Sequence, residues 1–322
     1  MCAAILMTPT PSPTPDATSR QTLGLVLAIA GAAFFATKGI IVKLALAEGI
    51  DAVTTLAWRM IVSVPVFAGV GIWSWRQRAR AAGSGGPSMP DRATLFKAGG
   101  VGVLGYYLAS YFDFAALEYI SAQLDRLILL TYPFFVVLFG VVFFRRTVTA
   151  PMIIALVLSY CGIMLIFLHD FRVAGDAVLL GSALALGSAI AYAGYQILAK
   201  PLIDRMGAQL FTSVAMPAAG MLVFAHFLLT HPVSALAVTG YQLCLMVGIG
   251  LISTVLPAYC ISWAIGLVGS ERTAVVGNIS PVATVGLAVL VLGEAFTPYH
   301  LAGTGLVLIG VWLFARRPRA KI

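Results

Sequence analysis

Long apolar runs alternate with short polar turns along almost the whole chain. A bilayer hydrocarbon core of about 30 Å takes roughly 20 apolar residues per crossing helix. That ruler predicts ten spans, near 22–46, 52–74, 94–114, 119–143, 149–168, 175–199, 208–229, 240–264, 270–292 and 299–315. Only "DFAALEY" (113–119) separates the third span from the fourth. The predicted fold class is therefore all-α integral membrane. Ahead of the first span, "MCAAILMTPTPSPTPDATSR" has too short an apolar run and no basic leader for a signal peptide. Residues 1–21 read as a disordered Thr/Pro-rich tail, because they bury too little surface to offset the entropy of ordering. Met1 and Met7 are both compatible with the start.

Composition excludes a soluble domain. The 322 residues are 60% hydrophobic and 10% charged, with a mean hydropathy of +0.98, where soluble domains run at about 25% charged. A net charge of +8 could signal nucleic acid. The basic residues, however, form no single face; they collect at span ends. With a cytoplasmic N-terminus, the inner side holds Arg20, Arg76, Arg78, Arg80, Arg92, Lys97, Arg145, Arg146, Lys200, Arg205, Arg272, Arg316, Arg317, Arg319 and Lys321, and the outer side Arg172 alone. That bias orients a multi-pass protein with both termini cytoplasmic, and a miscounted span would scramble it. Cys161, Cys244 and Cys260 lie in apolar segments without metal-ligand spacing and are expected to pack as small apolar side chains.

Shifted by 148 residues, the fourth and fifth spans align without a gap on the ninth and tenth. Pro133 falls on Pro281, Thr149 on Thr297 and Gly162 on Gly310. After one gap, "AKPLIDRMGAQLFT" (199–212) resembles "VKLALAEGIDAVTT" (42–55). Two five-helix repeats follow, 22–168 and 175–315, with a basic cytoplasmic tail at 316–322. Five is odd, so the second copy enters the membrane from the opposite side. The repeats are then inverted, an architecture that places a transporter's site near the midplane.

Three stretches carry a family resemblance: "FFATKGIIVKLAL" (34–46), "SAQLDRLILLTYPFFVVLFGVVFF" (121–144) and "GSERTAVVGNISPVATVGLAVLVLGEAFTPYHLAGTGLVLIGVWL" (269–313). Together they resemble the EamA family of the drug/metabolite transporter superfamily, over about residues 22–315. The resemblance implies transport of small metabolites, often export of amino acids or related compounds, across the bacterial inner membrane. It also implies a gating acid after the ninth span, Glu294. The matching position after the fourth span is Arg146, which puts that role in doubt for the first half.

Charges inside spans cost several kcal/mol unless paired or hydrated. At 1.5 Å per residue, Lys38 lies roughly 13 Å from the outer end of its helix, and Arg59 and Arg126 about 12 Å from theirs. Three cations thus share one level, with Asp125 as the anion there and Asp113 and Glu118 expected nearer the surface. Such a surplus would attract a carboxylate or phosphate. The alternative is structural pairing of Arg59 or Arg126 with Asp125 or Asp113. Adjacent helical residues point about 100° apart, so Asp125 and Arg126 each need a partner across an interface. Lys43 is expected to snorkel.

The second half offers no such charges, since Arg126 aligns with Ala274 and Lys38 with Tyr195. Its expected lining is Tyr192, Tyr195, Gln196, Tyr259, Trp263 and Asn278. These residues suit the apolar body of an amphiphilic solute whose anionic end meets the cations. Pro133 and Pro281 each remove a helical hydrogen bond at equivalent places and are candidate hinges; a static kink fits the sequence equally.

The function expected is a secondary carrier for a small metabolite, with no cofactor and no metal. An uncoupled, channel-like facilitator is the alternative. An intramembrane enzyme is disfavoured, because HExxH, GxSxG and any histidine or acid cluster are missing from the linear sequence; His169, His226, His231 and His300 fall mostly at span ends. No GxxxxGK[ST] points to ATP. The partners expected are a small-molecule substrate and the lipid bilayer, with no nucleic acid and no oligomer required.

Overall fold

The computed structural model describes residues 15–82, 89–144, 150–268, 273 and 280–315. Among them no strand occurs. Helices α1 (Pro15–Ala47) and α2 (Ala52–Ala82) are followed by α3 (Arg92–Gly102), which runs through a π segment, Val103–Leu108, into α4 (Ala109–Ala116). Then come α5 (Ala122–Leu129), α6 (Tyr132–Phe144), α7 (Ala150–Ala174), α8 (Asp176–Met206) and α9 (Ala208–Thr230). Helix α10 (Gly240–Gly250) passes through a second π segment, Leu251–Val255, into α11 (Leu256–Val268); α12 (Ser280–Leu292) and α13 (Pro298–Ala315) complete the series. The π segments begin 148 residues apart, at Val103 and Leu251.

Seven of the described segments are long and apolar enough to cross a bilayer: 19–47, 52–80, 122–143, 153–173, 176–206, 208–230 and 240–261. Helices α12 and α13 are apolar but shorter. The ninth expected span is therefore described as a continuous helix only from Ser280, and the third, Arg92–Ala116, is helical without meeting that apolarity. Helix α1 begins at Pro15, inside the stretch expected as a tail. Residues 1–14 and the basic tail 316–322 lie outside the described residues.

Local chemistry sets the helix starts. Asp51 caps α2, its Oδ1 accepting from Val53 N (2.8 Å) and Thr54 N (2.9 Å). Glu118 Oε1 accepts from Ala52 N at 3.0 Å, tying the first turn of α2 to the end of α4. Between α8 and α9, Gly207 takes φ +78°, a left-handed conformation that a side chain would strain.

The strongest packing joins helices distant in sequence: α7 with α13, α2 with α9, α1 with α11 and α12, and α8 with α4 and α6. At the α7–α13 seam the backbones touch. A Cβ on Gly162 would meet Gly303 O, and one on Gly303 would meet Gly162 O. By contrast Gly100 and Gly305 face open space. Cysteine packing is also corrected. Cys260 is buried, whereas Cys161 and Cys244 are exposed on the bundle's outer surface.

The two ends of the bundle differ. At one, Arg78 donates to the carbonyls of Met206 (2.7 Å) and Arg205 (2.8 Å), where the α8 dipole favours a cation. At the other lie Glu48, Asp51, Glu118 and Glu294. Large apolar side chains, among them Leu23, Val26, Ile72, Leu138, Val142, Ile154, Val157 and Leu290, face outward between them. That surface suits hydrocarbon.

Candidate functional site

The in-span cations do come together. Arg59 on α2 is buried, and its Nε donates to Thr254 Oγ1 at 3.0 Å while Nη1 donates to Ser110 Oγ at 2.8 Å. Its guanidinium also lies 5.7 Å from the Phe114 ring centroid. Thr254 belongs to the second π segment and in turn donates to Ile249 O (2.9 Å). Lys38 on α1 places Nζ 2.7 Å from Asp113 Oδ2 on α4. Arg126 on α5 sits 5.1 Å from the Phe35 ring centroid, and Lys38 lies 5.4 Å from the same ring. Asp113, Arg126 and Arg59 all act electrostatically on Lys38, and Asp113, Arg126, Lys38 and Lys43 act on Asp125.

Asp113, expected nearer the membrane surface than the cations, is 2% exposed and paired with Lys38. The lysine's four-carbon stem bridges the difference in level. Asp125 and Arg126, as expected, do not pair with each other among the described residues. Neither side chain has an ion pair among the described residues, and Asp125 Oδ1 and Arg126 Nε are buried without a hydrogen bond.

Helix geometry explains how Arg126 is presented. Helix α5 ends at Leu129 and α6 starts at Tyr132. Pro133 has no N–H, and Thr131 N turns back to Ile128 O at 3.0 Å, tightening the break. The fourth span is thus discontinuous one turn beyond Arg126. Pro281 is the second residue of α12; residues 274–279 before it, including Asn278 and Ala274, lie outside the described residues, as do Arg146 and Arg272.

The other end of α5 is held by Glu294. Its Oε1 accepts from Ala122 N (2.6 Å) and its Oε2 from Gln123 N (3.2 Å), while Ser121 Oγ accepts from Leu124 N (3.1 Å). Three of the helix's four free N–H groups are thereby satisfied, and a carboxylate sits on the positive end of the dipole. Gln123 Nε2 adds a bond to Ala295 O at 3.3 Å. Lys43 is half-buried and lies within electrostatic range of Glu294 and Asp125.

Aromatic residues flank the cations. Tyr195 OH donates to Tyr106 OH at 2.9 Å, Tyr192 stacks on Tyr195 with centroids 5.6 Å apart, and Tyr132 meets Tyr192 edge-on at 5.0 Å. Gln196 lies beside Tyr192, as does the charge of Arg126. The first π segment makes room for this group: a Cβ on Gly105 would come within 2.3 Å of the Tyr195 ring. Tyr259 and Trp263 are elsewhere. Tyr259 stacks on Phe67 (5.9 Å) and lines a small pocket with Gln209 and Thr212, and Trp263 is 56% exposed. The structure therefore gathers Lys38, Arg59, Asp125, Arg126, Tyr192, Tyr195 and Gln196, and leaves Tyr259 and Trp263 outside that group. Sequence reasoning missed Phe35, Ser110 and Thr254. Ordinary helical residues by letter, they gain meaning only from the side chains set against them.

The EamA-like transporter family model matches this chain twice, over residues 22–168 and 179–316. The chain is 27% identical over 291 residues to the uncharacterized transporter YcbK of Bacillus subtilis (strain 168), covering 88% of this chain and 89% of that protein. It is 23% identical over 227 residues to the uncharacterized transporter sll1319 of Synechocystis sp., covering 69% and 67% respectively. A solved crystal structure superposes with a TM-score of 0.57 at 16% identity, covering 94% of this chain and 99% of that one, a likeness of fold. With apolar helices, a family match across both halves and relatives named as transporters, the chain belongs to the EamA-like transporter family and is a multi-pass membrane transport protein, not an enzyme.

Proposed function

We propose that the protein is a secondary carrier that exports a small metabolite with an anionic group, such as an amino acid or related amphiphile, across the inner membrane by alternating access. The observation that carries this is Arg126: a guanidinium 7% exposed, next to a broken helix and beside Tyr192, without a hydrogen bond or ion pair among the described residues. An unpaired buried charge is expensive. A substrate carboxylate would satisfy it in bidentate fashion, with the apolar part of the solute against Tyr106, Tyr132, Tyr192 and Tyr195. Three cations, Lys38, Arg59 and Arg126, face two carboxylates, Asp113 and Asp125, leaving one positive charge for the ligand to balance.

Ten spans in two inverted repeats would supply the movement. The double family match, the π segments 148 residues apart and the helix pairings support that arrangement. A twofold exchanging the halves would map the contact of spans one and eight onto that of spans six and three. It would map the contact of spans one and nine onto that of six and four, and carry the contacts of two with seven and five with ten onto themselves. The basic residues at one bundle end support a cytoplasmic orientation for that end.

The test is a thermal-shift screen of the purified protein against amino acids, nucleosides and organic anions, since a ligand of the native state raises its stability. Hits are then taken into proteoliposomes. Saturable flux with counterflow is expected; non-saturating flux would instead favour the channel-like facilitator.

A further inference from the structure

His169, Asp170 and His300 lie where the end of α7 meets the start of α13. Among the described residues they are the one group of three metal-ligating side chains whose ligand atoms all fall within 4.8 Å of one another. Asp170 Oδ1 is 3.1 Å from His169 Nδ1 and 3.3 Å from His300 Nε2. The edge of a tetrahedron with metal–ligand bonds of 2.0–2.1 Å is about 3.3 Å, so both separations match.

The surroundings also prepare the imidazole. His300 is 3% exposed, and its Nδ1 lies 2.8 Å from Thr297 Oγ1. When Nδ1–H donates to that hydroxyl, Nε2 turns its lone pair toward the Asp170 carboxylate. In that tautomer two electron-rich atoms face each other at 3.3 Å, and a metal ion between them would satisfy both; in the other tautomer the Nε2 proton does so. The His169 ring packs against Tyr299 (centroids 5.1 Å) and His300 (5.2 Å), which limits its rotation.

We propose that His169, Asp170 and His300 form a binding site for a divalent transition metal, of the zinc class, that bridges α7 and α13 at the acid-rich end of the bundle. Two imidazoles and one carboxylate select zinc, nickel or cobalt over magnesium or calcium, which prefer all-oxygen sites. Three protein ligands leave a fourth position for water. The two helices already touch backbone to backbone at Gly162 and Gly303, so a bound ion would clamp a seam that is already close. This site is independent of the transport assignment, and its test does not involve flux.

The experiment uses the full chain, untagged, stripped with chelator and titrated with Co²⁺. The expected result is one Co²⁺ per chain with visible d–d absorption of tetrahedral strength, bleached by Zn²⁺, and a higher thermal midpoint with Zn²⁺. Asp170→Asn keeps shape but removes charge and is expected to weaken binding at least tenfold. Thr297→Val, which removes only the partner of His300, is expected to weaken it about tenfold. His226→Ala, a histidine elsewhere, should change nothing. If His300→Ala fails to fold, Asp170→Asn and Thr297→Val still decide. Absence of stoichiometric binding, or binding equal in wild type and Asp170→Asn, would overturn the site and leave a proton as the occupant of the His–Asp–His chain.

Discussion

Lys38 Nζ lies 2.7 Å from Asp113 Oδ2, joining α1 to α4 inside the bundle. Arg126, in the same charge cluster, has no such partner among the described residues. The pairing separates a structural member of the cluster from one available to a ligand, and the two should respond to mutation in opposite ways.

Removing one partner of a buried ion pair strands the other, typically at a cost of about 3–5 kcal/mol. Asp113→Asn is therefore expected to lower the thermal unfolding midpoint in detergent substantially. The double change Lys38→Met with Asp113→Leu should recover most of the loss. An Asp113→Asn melt equal to wild type would show that water solvates the pair.

Arg126→Ala orphans no hydrogen-bonded partner, so the protein should insert, elute and melt like wild type or slightly above it. Substrate binding should fall roughly 10- to 100-fold, the worth of a charge-assisted bond of about 1.5–3 kcal/mol. Arg126→Lys, which keeps charge without the planar fork, should fall between. If Arg126→Ala and Asp125→Ala both transport at wild-type rates in proteoliposomes, the ligand site lies elsewhere.

Glu294 holds the first turn of α5 through Ala122 N and Gln123 N. Glu294→Ala should cost about 1 kcal/mol of stability, the usual worth of a helix cap. If opening at this end requires that contact to break, the variant should also label faster at a cysteine placed at Gln123. Unchanged labelling would assign Glu294 a static role.

The α7–α13 seam leaves no space for a side chain at Gly303, where a new Cβ would lie 2.6 Å from Gly162 O. Gly303→Val should destabilise by about 1–3 kcal/mol or more, as overpacking does. Gly305→Ala, facing open space, should be neutral in the same melting assay.

Much of the fold is legible because membrane solvation acts on stretches of sequence. A bilayer demands runs of about 20 apolar residues, and such runs are visible without knowing any contact. The expectation that Lys38, Arg59 and Arg126 share a level comes from helical rise, which converts residue number into depth. Depth says nothing of rotation about the helix axis or of the neighbour opposite. The Lys38–Asp113 pair and the contacts of Arg59 with Ser110 and Thr254 are therefore not legible by letter, and Tyr259 stacks on Phe67 instead.

By itself, the sequence determined the helical membrane class, because that follows from the length and composition of apolar runs along one chain. Only the tertiary structure decided that Lys38 is ion-paired with Asp113 while Arg126 has no ion pair among the described residues. It also decided that His300 converges on the adjacent His169 and Asp170 where α7 meets α13. Pairing depends on which helix faces arrive together, and that is settled by close approaches such as Gly162 against Gly303, not by hydropathy.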